Sequence, residues 1–184
     1  MTALVLIDIQ KGLHEIAFYG TERNNPDAEH NCGRLLTFFR EKQMPIFHVK
    51  HNSTNADSPL HPSKNGNDFQ LAVQPLHNEP IFEKSVNSAF IGTKLEAELT
   101  KQRISHLVIA GLTIEHCIST SVRMAANLGF NVTLISDATA AFDKIGIDGN
   151  HYSADIIFQT EMANLKDEFA IIKNTASFLK ELDN

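Results

Sequence analysis

The chain has 184 residues, enough for one α/β domain with a full core. Hydrophobic residues make up 42% and charged residues 21%, the balance of an ordinary globular protein. A formal charge of −6 with no basic run argues against a nucleic-acid partner, and no apolar stretch suits a membrane span or a signal peptide, so a cytoplasmic protein is expected.

The first element is Ala3–Ile9, a near-continuous apolar run of the kind found in strands covered on both faces. Asp8 stands at its end. A carboxylate there is costly unless it faces a cleft or has partners, so it reads either as a general base or as a loop cap bonded to Lys11 or Gly12. Gln10 reads as a neighbour of that base or as a loop residue. A helix follows over Asp27–Lys42, with Cys32 on the face that carries Leu35, Leu36 and Phe39, then a strand over Pro45–Lys50. The stretch Asn52–Asn78 differs: with three prolines, three serines and two histidines it reads as a long surface excursion, a type of loop that is often functional.

Ile81–Phe82 is a short strand, and Lys84 just beyond it either projects toward the same end of the sheet as Asp8 or is an ordinary exposed lysine. Next come a helix over Thr93–Gln102, a strand over His106–Ala110 and a helix over Glu115–Leu128. Cys117 falls in the first turn of that helix, where unpaired N–H groups and the helix dipole favour a thiolate. It also lies near the apolar stripe of Ile118, Val122 and Ala125, so core packing competes with a nucleophile. His116 is adjacent but points about 100° away on a helix, which makes it a poor base for Cys117. The remaining elements are a strand over Asn131–Ser136, a helix over His151–Leu165, a strand over Phe169–Ile172 and a helix over Thr175–Leu182.

No repeat or linker divides the chain, so one domain over residues 1–184 is expected. Strands alternating with helices imply right-handed βαβ units and a mostly parallel, doubly wound sheet of six strands. With the order 3-2-1-4-5-6, the reversal falls between the first and fourth strands, and ligands bind at the carboxyl ends there. That places Asp8 and Cys117 in one crevice. His48, His51 and His61, with Asp57, form only a loose set without tight ligand spacing, so no metal and no cofactor are expected.

Four blocks together resemble the isochorismatase-like cysteine hydrolases: Leu6-Ile7-Asp8-Ile9-Gln10; Glu83-Lys84-Ser85 with Ser88-Ala89-Phe90-Ile91-Gly92-Thr93 and Leu95; Gly111-Leu112-Thr113 with Cys117-Ile118-Ser119-Thr120, Arg123-Met124-Ala125 and Leu128-Gly129; and Ser136-Asp137-Ala138. The resemblance implies a three-layer α/β/α sandwich around a parallel six-stranded sheet. It implies an Asp8–Lys84–Cys117 catalytic triad and hydrolysis of a C–N bond in a small amide. It also implies a cis peptide at Leu112–Thr113, an oxyanion hole made by the N–H groups of Thr113 and Cys117, and a homodimer or homotetramer. Members that act on isochorismate lack the cysteine, so Cys117 argues against that reaction. The zinc-binding Asp-x-His motif of the nicotinamidases is absent. Leu13, Phe18, Phe90 and Ile114 are expected to wall the pocket. The rival readings are a metal-assisted amidase, a thiol-redox protein with Cys32 as the resolving cysteine, and a non-catalytic binding module, which would have lost a triad residue.

Overall fold

The computed structural model describes residues 1–183. Six parallel strands form the central sheet: β1 (Thr2–Ile7), β2 (Ile46–His51), β3 (Ile81–Lys84), β4 (His106–Gly111), β5 (Asn131–Ile135) and β8 (Ile171–Lys173), in the spatial order β3-β2-β1-β4-β5-β8. The small strands β6 (Lys144–Ile145) and β7 (His151–Tyr152) form a separate antiparallel hairpin. The helices are α1 (Ile16–Tyr19), α2 (Ala28–Glu41), α3 (Leu95–Lys101), α4 (Ser119–Asn127), α5 (Ala154–Leu165) and α6 (Thr175–Leu182).

The twofold alternation of a strand divides β1 between two cores. Leu4 and Leu6 pack with Val108 and Ala110 against Leu35, Leu36 and Phe39 of α2 and Phe178 of α6. Val5 and Ile7 pack with Val49 and Ile109 against Leu95 and Leu99 of α3, Val122 of α4 and Phe158 of α5. Each fully buried Leu or Phe contributes about 2 kcal/mol. Both faces of the sheet are covered, giving the three-layer α/β/α sandwich in the expected strand order. Cys32 lies in the first core and Cys117 in the second, so the sheet separates the two thiols. Among the described residues no helix is long and apolar enough to cross a membrane.

Several boundaries differ from the sequence reading. β3 runs on to Lys84, and the last sheet strand is Ile171–Lys173 rather than Phe169–Ile172. The helix expected from His151 begins at Ala154, capped by Ser153, whose hydroxyl accepts from the Ile156 N–H. His151 and Tyr152 pair instead with Ile145 and Lys144. The reason is the Asp148-Gly149 turn, in which Gly149 takes φ +79°, and such a pair between short extended runs is a hairpin signal.

One glycine holds the site end of the sheet together. Gly111 closes β4 opposite Ile7 with φ +137°, and a Cβ built there would stand 2.0 Å from the Ile7 carbonyl oxygen. That same oxygen accepts the Leu112 N–H at 2.9 Å. Gly111→Ala is therefore expected to destabilise the fold by about 3 kcal/mol or more in denaturant unfolding. A cost below about 0.5 kcal/mol, typical of an unconstrained surface site, would contradict this packing.

Candidate active site

Asp8 follows β1 directly. Its backbone takes the left-handed conformation, φ 55°, uncommon for a non-glycine residue. Its N–H still donates to the Val49 carbonyl at 2.9 Å, while its own carbonyl already accepts from Gln10 at 2.9 Å. The chain thus leaves the sheet in one residue and throws the carboxylate into the crevice between β1 and β4. Asp8 is 1% exposed. Its Oδ2 accepts from Lys84 at 2.5 Å, and its Oδ1, although buried, has no hydrogen-bond partner among the described residues.

Lys84 is the last residue of β3 and is 4% exposed. An ammonium has three N–H donors, and here each has an acceptor. They are Asp8 Oδ2 at 2.5 Å, His51 Nδ1 at 3.0 Å and Cys117 Sγ at 3.2 Å. Burying this charge is tolerable only because it is paired and fully hydrogen-bonded.

Cys117 is carried by the wide turn Ile114–Ile118 that leads into α4. In it the Thr113 carbonyl accepts the N–H groups of both His116, at 3.2 Å, and Ile118, at 3.1 Å. The preceding Leu112–Thr113 peptide is cis, and the Thr113 N–H makes no hydrogen bond among the described residues. Cys117 is 9% exposed. Burial first, and then the Asp8 carboxylate, push its thiol well above the ordinary range, while Lys84 pulls the other way. This reverses the sequence expectation of a ready thiolate, which weighed the helix start and the lysine but not the depth of the site or the commitment of Lys84 to Asp8.

The histidines do not converge. His48 is fully buried and its Nε2 pairs with Glu79 Oε2 at 2.8 Å, whereas His61 is at the surface with Nδ1 bonded to the Ser63 hydroxyl at 2.8 Å. Only His51 reaches the site. Burial, and then the charge of Lys84, hold its ring below the usual histidine value, so it is neutral and presents a lone pair to the ammonium. The ligand-type atoms of Asp8, His51 and Cys117 lie within 4.8 Å of one another. Lys84 stands among them and donates to all three, so this set does not fit a metal ion: the protein's own cation holds it together.

The His51 backbone is clamped by Gln10, which accepts its N–H at 2.8 Å and donates to its carbonyl at 3.0 Å. Gln10 also donates to Asn67 O at 2.8 Å, and Asn67 donates to the carbonyls of His51 and Leu60. Gln10 is thus a fastening between β1, the end of β2 and the excursion Asn52–Asn78, rather than a neighbour of the base.

Above Cys117 opens a cavity of about 350 Å³. Leu13, Leu60 and Leu112 supply its apolar walls, Tyr19, Ser58 and Asn87 its polar ones, and exposed His116 stands at the rim. Of the four expected wall residues only Leu13 is there. Phe18 is 46% exposed and packs edge-on against Tyr19, while Phe90 and Ile114 are buried in the sheet-face core. Tyr19, Ser58, Leu60 and Asn87 were missed because they come from loops or short turns with no hydrophobic period. A larger depression, of about 530 Å³, lies at the opposite end of the strands, where Arg40 and Glu79 are paired with each other.

The doubly wound α/β/α fold thus brings a buried carboxylate, ammonium and thiol together at its topological switch point. Residues 2–154 match the Isochorismatase domain family model. The chain is 41% identical over 179 residues to the isochorismatase family protein YrdC of Bacillus subtilis, across 97% of this chain and 95% of that protein. It superposes with TM-score 0.95 on an isochorismatase-family crystal structure from Chromobacterium violaceum, 37% identical, covering 100% of this chain and 94% of that one. Nicotinamidase 3 of Arabidopsis thaliana is 25% identical over 78% of this chain and 75% of its own length. The chain belongs to the isochorismatase family.

Because Asp8 and Lys84 neutralise each other in a buried place, the two residues are energetically one unit. Lys84→Met is expected to cost about 3–5 kcal/mol of unfolding free energy, since it strands a buried charge. In the double variant Asp8→Asn with Lys84→Met most of that loss should be recovered. Simple additivity of the single costs in a denaturation cycle would show that the pair is not coupled.

Proposed function

We propose that this protein is an amidohydrolase that cleaves a C–N bond of a small amide or carbamoyl compound through a thioester on Cys117. The observation that carries the reading is the position of Lys84, which donates to both Asp8 and Cys117 while Asp8 Oδ1 is left buried and open. A carboxylate oxygen without a partner beside a protonated thiol is a base awaiting a proton. The kinship with a nicotinamidase, an amide hydrolase, supports the bond type.

The reaction then runs in two halves. As a substrate carbonyl enters, Cys117 Sγ attacks its carbon and the thiol proton passes to Asp8. The C=O pair moves onto oxygen, and the oxyanion is held by the N–H groups of Thr113 and Cys117, where loss of one donor typically costs about 3 kcal/mol. Protonated Asp8 gives its proton to the leaving nitrogen, the C–N bond breaks, and ammonia or an amine departs. Water then attacks the thioester as Asp8 takes its proton, and the acid is released with the thiol restored. Throughout, Lys84 offsets charge on Asp8 and sulfur in turn. No step needs a cofactor. A thiol-redox role is less favoured, because Cys32 lies across the sheet, is buried and donates to Ala138 O.

The test is ammonia release from a panel of small amides, ureas and carbamoyl compounds. Cys117→Ala should abolish it, and Asp8→Asn should lower kcat by about 10²–10⁴-fold with the fold intact. Full activity in Cys117→Ala would falsify the mechanism.

A further inference from the structure

In the proposed reaction Lys84 serves Asp8 and Cys117 in turn, yet one of its three N–H groups is spent elsewhere, on His51 Nδ1 at 3.0 Å. The chemistry so far gives His51 no part. A titratable ring that touches the site's buried cation and lines the cavity above the nucleophile calls for a reason.

We infer that His51 is a positioning residue: its neutral ring is the fixed acceptor that aims the other two Lys84 N–H groups at Asp8 and Cys117, and a proton on that ring releases the aim and stops turnover. The inference rests on the amidase reading and deepens it.

An ammonium is a threefold rotor on a flexible stem. Over the reaction cycle Asp8 gains and loses a proton, and Cys117 becomes a thioester and is restored. Their pull on Lys84 changes at each step. Of the three acceptors, His51 is the one that keeps the same chemical form, so it can hold the rotor still. The chain presents it from a fixed backbone. Buried Gln10 accepts the His51 N–H at 2.8 Å and donates to its carbonyl at 3.0 Å, and Asn67 donates to the same carbonyl at 3.0 Å. The ring itself is also hydrogen-bonded to the Val86 backbone.

The role depends on the charge of the ring. A neutral imidazole that accepts at Nδ1 carries its proton on Nε2. Burial, and then the Lys84 charge, keep the ring neutral to lower pH than usual, against the pull of Asp8. The ionisable groups that face it are Lys84 from β3, Asp8 from the end of β1 and Cys117 from the turn after β4, with Tyr19 and His116 further along the cavity wall. Protonation turns Nδ1 from an acceptor into a donor, so one Lys84 N–H loses its partner. It also sets a second cation beside Asp8, which makes that carboxylate a weaker base for the thiol. The ring is neutral above its own pKa and charged below it. The loss of activity therefore falls on the acid side, below pH 6.5.

The experiment follows kcat and KM against pH for the wild type, His51→Asn and His51→Leu, on the amide of the panel that the wild type turns over fastest. Asparagine keeps a neutral acceptor near the Nδ1 position and cannot take up a proton in this range; leucine removes the acceptor. An NMR titration of the His51 ring, assigned by its loss in His51→Asn, gives the midpoint independently. Wild-type kcat/KM should fall below pH 6.5 with a one-proton slope and the midpoint of the ring, and His51→Asn should lack that limb. At neutral pH, His51→Leu should lower kcat about 100-fold with KM within about threefold, the scale of a misaimed catalytic group, and His51→Asn should recover at least about tenfold of that loss. If His51→Leu does not fold, the acid limb of His51→Asn decides. A wild type without the limb, the same limb in His51→Asn, a midpoint that is not that of the ring, or equal kcat in the two variants overturns this inference and leaves the amidase reading intact. Absence of ammonia from every amide at every pH removes both.

Discussion

Everything at the switch point of the sheet depends on one buried ammonium with three acceptors. Lys84 comes from the edge strand β3, Asp8 from β1, His51 from β2 and Cys117 from the turn after β4, and the Nζ atom is where these four segments meet. A charge at 4% exposure is stable only if each N–H is satisfied, so the positions of all three acceptors are constrained together. The same constraint sets the chemistry. In the proposed reaction the positive charge is shared between Asp8 and Cys117, and activation of the thiol is coupled to proton transfer when a carbonyl arrives.

The surroundings fix this arrangement from outside. Gln10 ties the His51 backbone on both sides, and Asn67 ties the far excursion to the same point. The excursion then brings Ser58 and Leu60 over the thiol as part of the cavity wall. Gly111 lets β4 leave the sheet against the Ile7 carbonyl without a clash, which sets the start of the turn that carries Cys117. Loop, strand end and turn are thus parts of one structure around Lys84.

Much of the fold was legible because it is written in hydrophobic periods. The run Leu4–Ile7 could only be a strand covered on both faces, and alternation with helical segments implied the parallel sheet and its switch point. That rule alone brought Asp8 and Cys117, 109 positions apart (117 − 8), to one crevice. What escaped had no period. The hairpin strand His151–Tyr152 was absorbed into a helix, Tyr19 ends the single turn α1 and Ser58 sits in an irregular segment, and His51 was grouped with His48 and His61 because spacing cannot tell which histidine reaches the site. The upward push on the Cys117 thiol escaped for a different reason: it comes from burial and from the neighbouring carboxylate, neither of which is a local property of the sequence.

The measurement that bears on this arrangement is a pH titration of thiolate ultraviolet absorbance, with Cys117→Ser as the blank and Asp8→Asn as the comparison. The thiol should stay protonated at neutral pH and ionise only above about 8.5, the value of a free thiol. In Asp8→Asn, with the neighbouring negative charge gone, ionisation should begin at lower pH even as hydrolysis is lost, so acidity and activity move in opposite directions. A wild-type thiolate already formed at pH 7, or an Asp8→Asn thiol that ionises no earlier, would contradict the shared-ammonium arrangement.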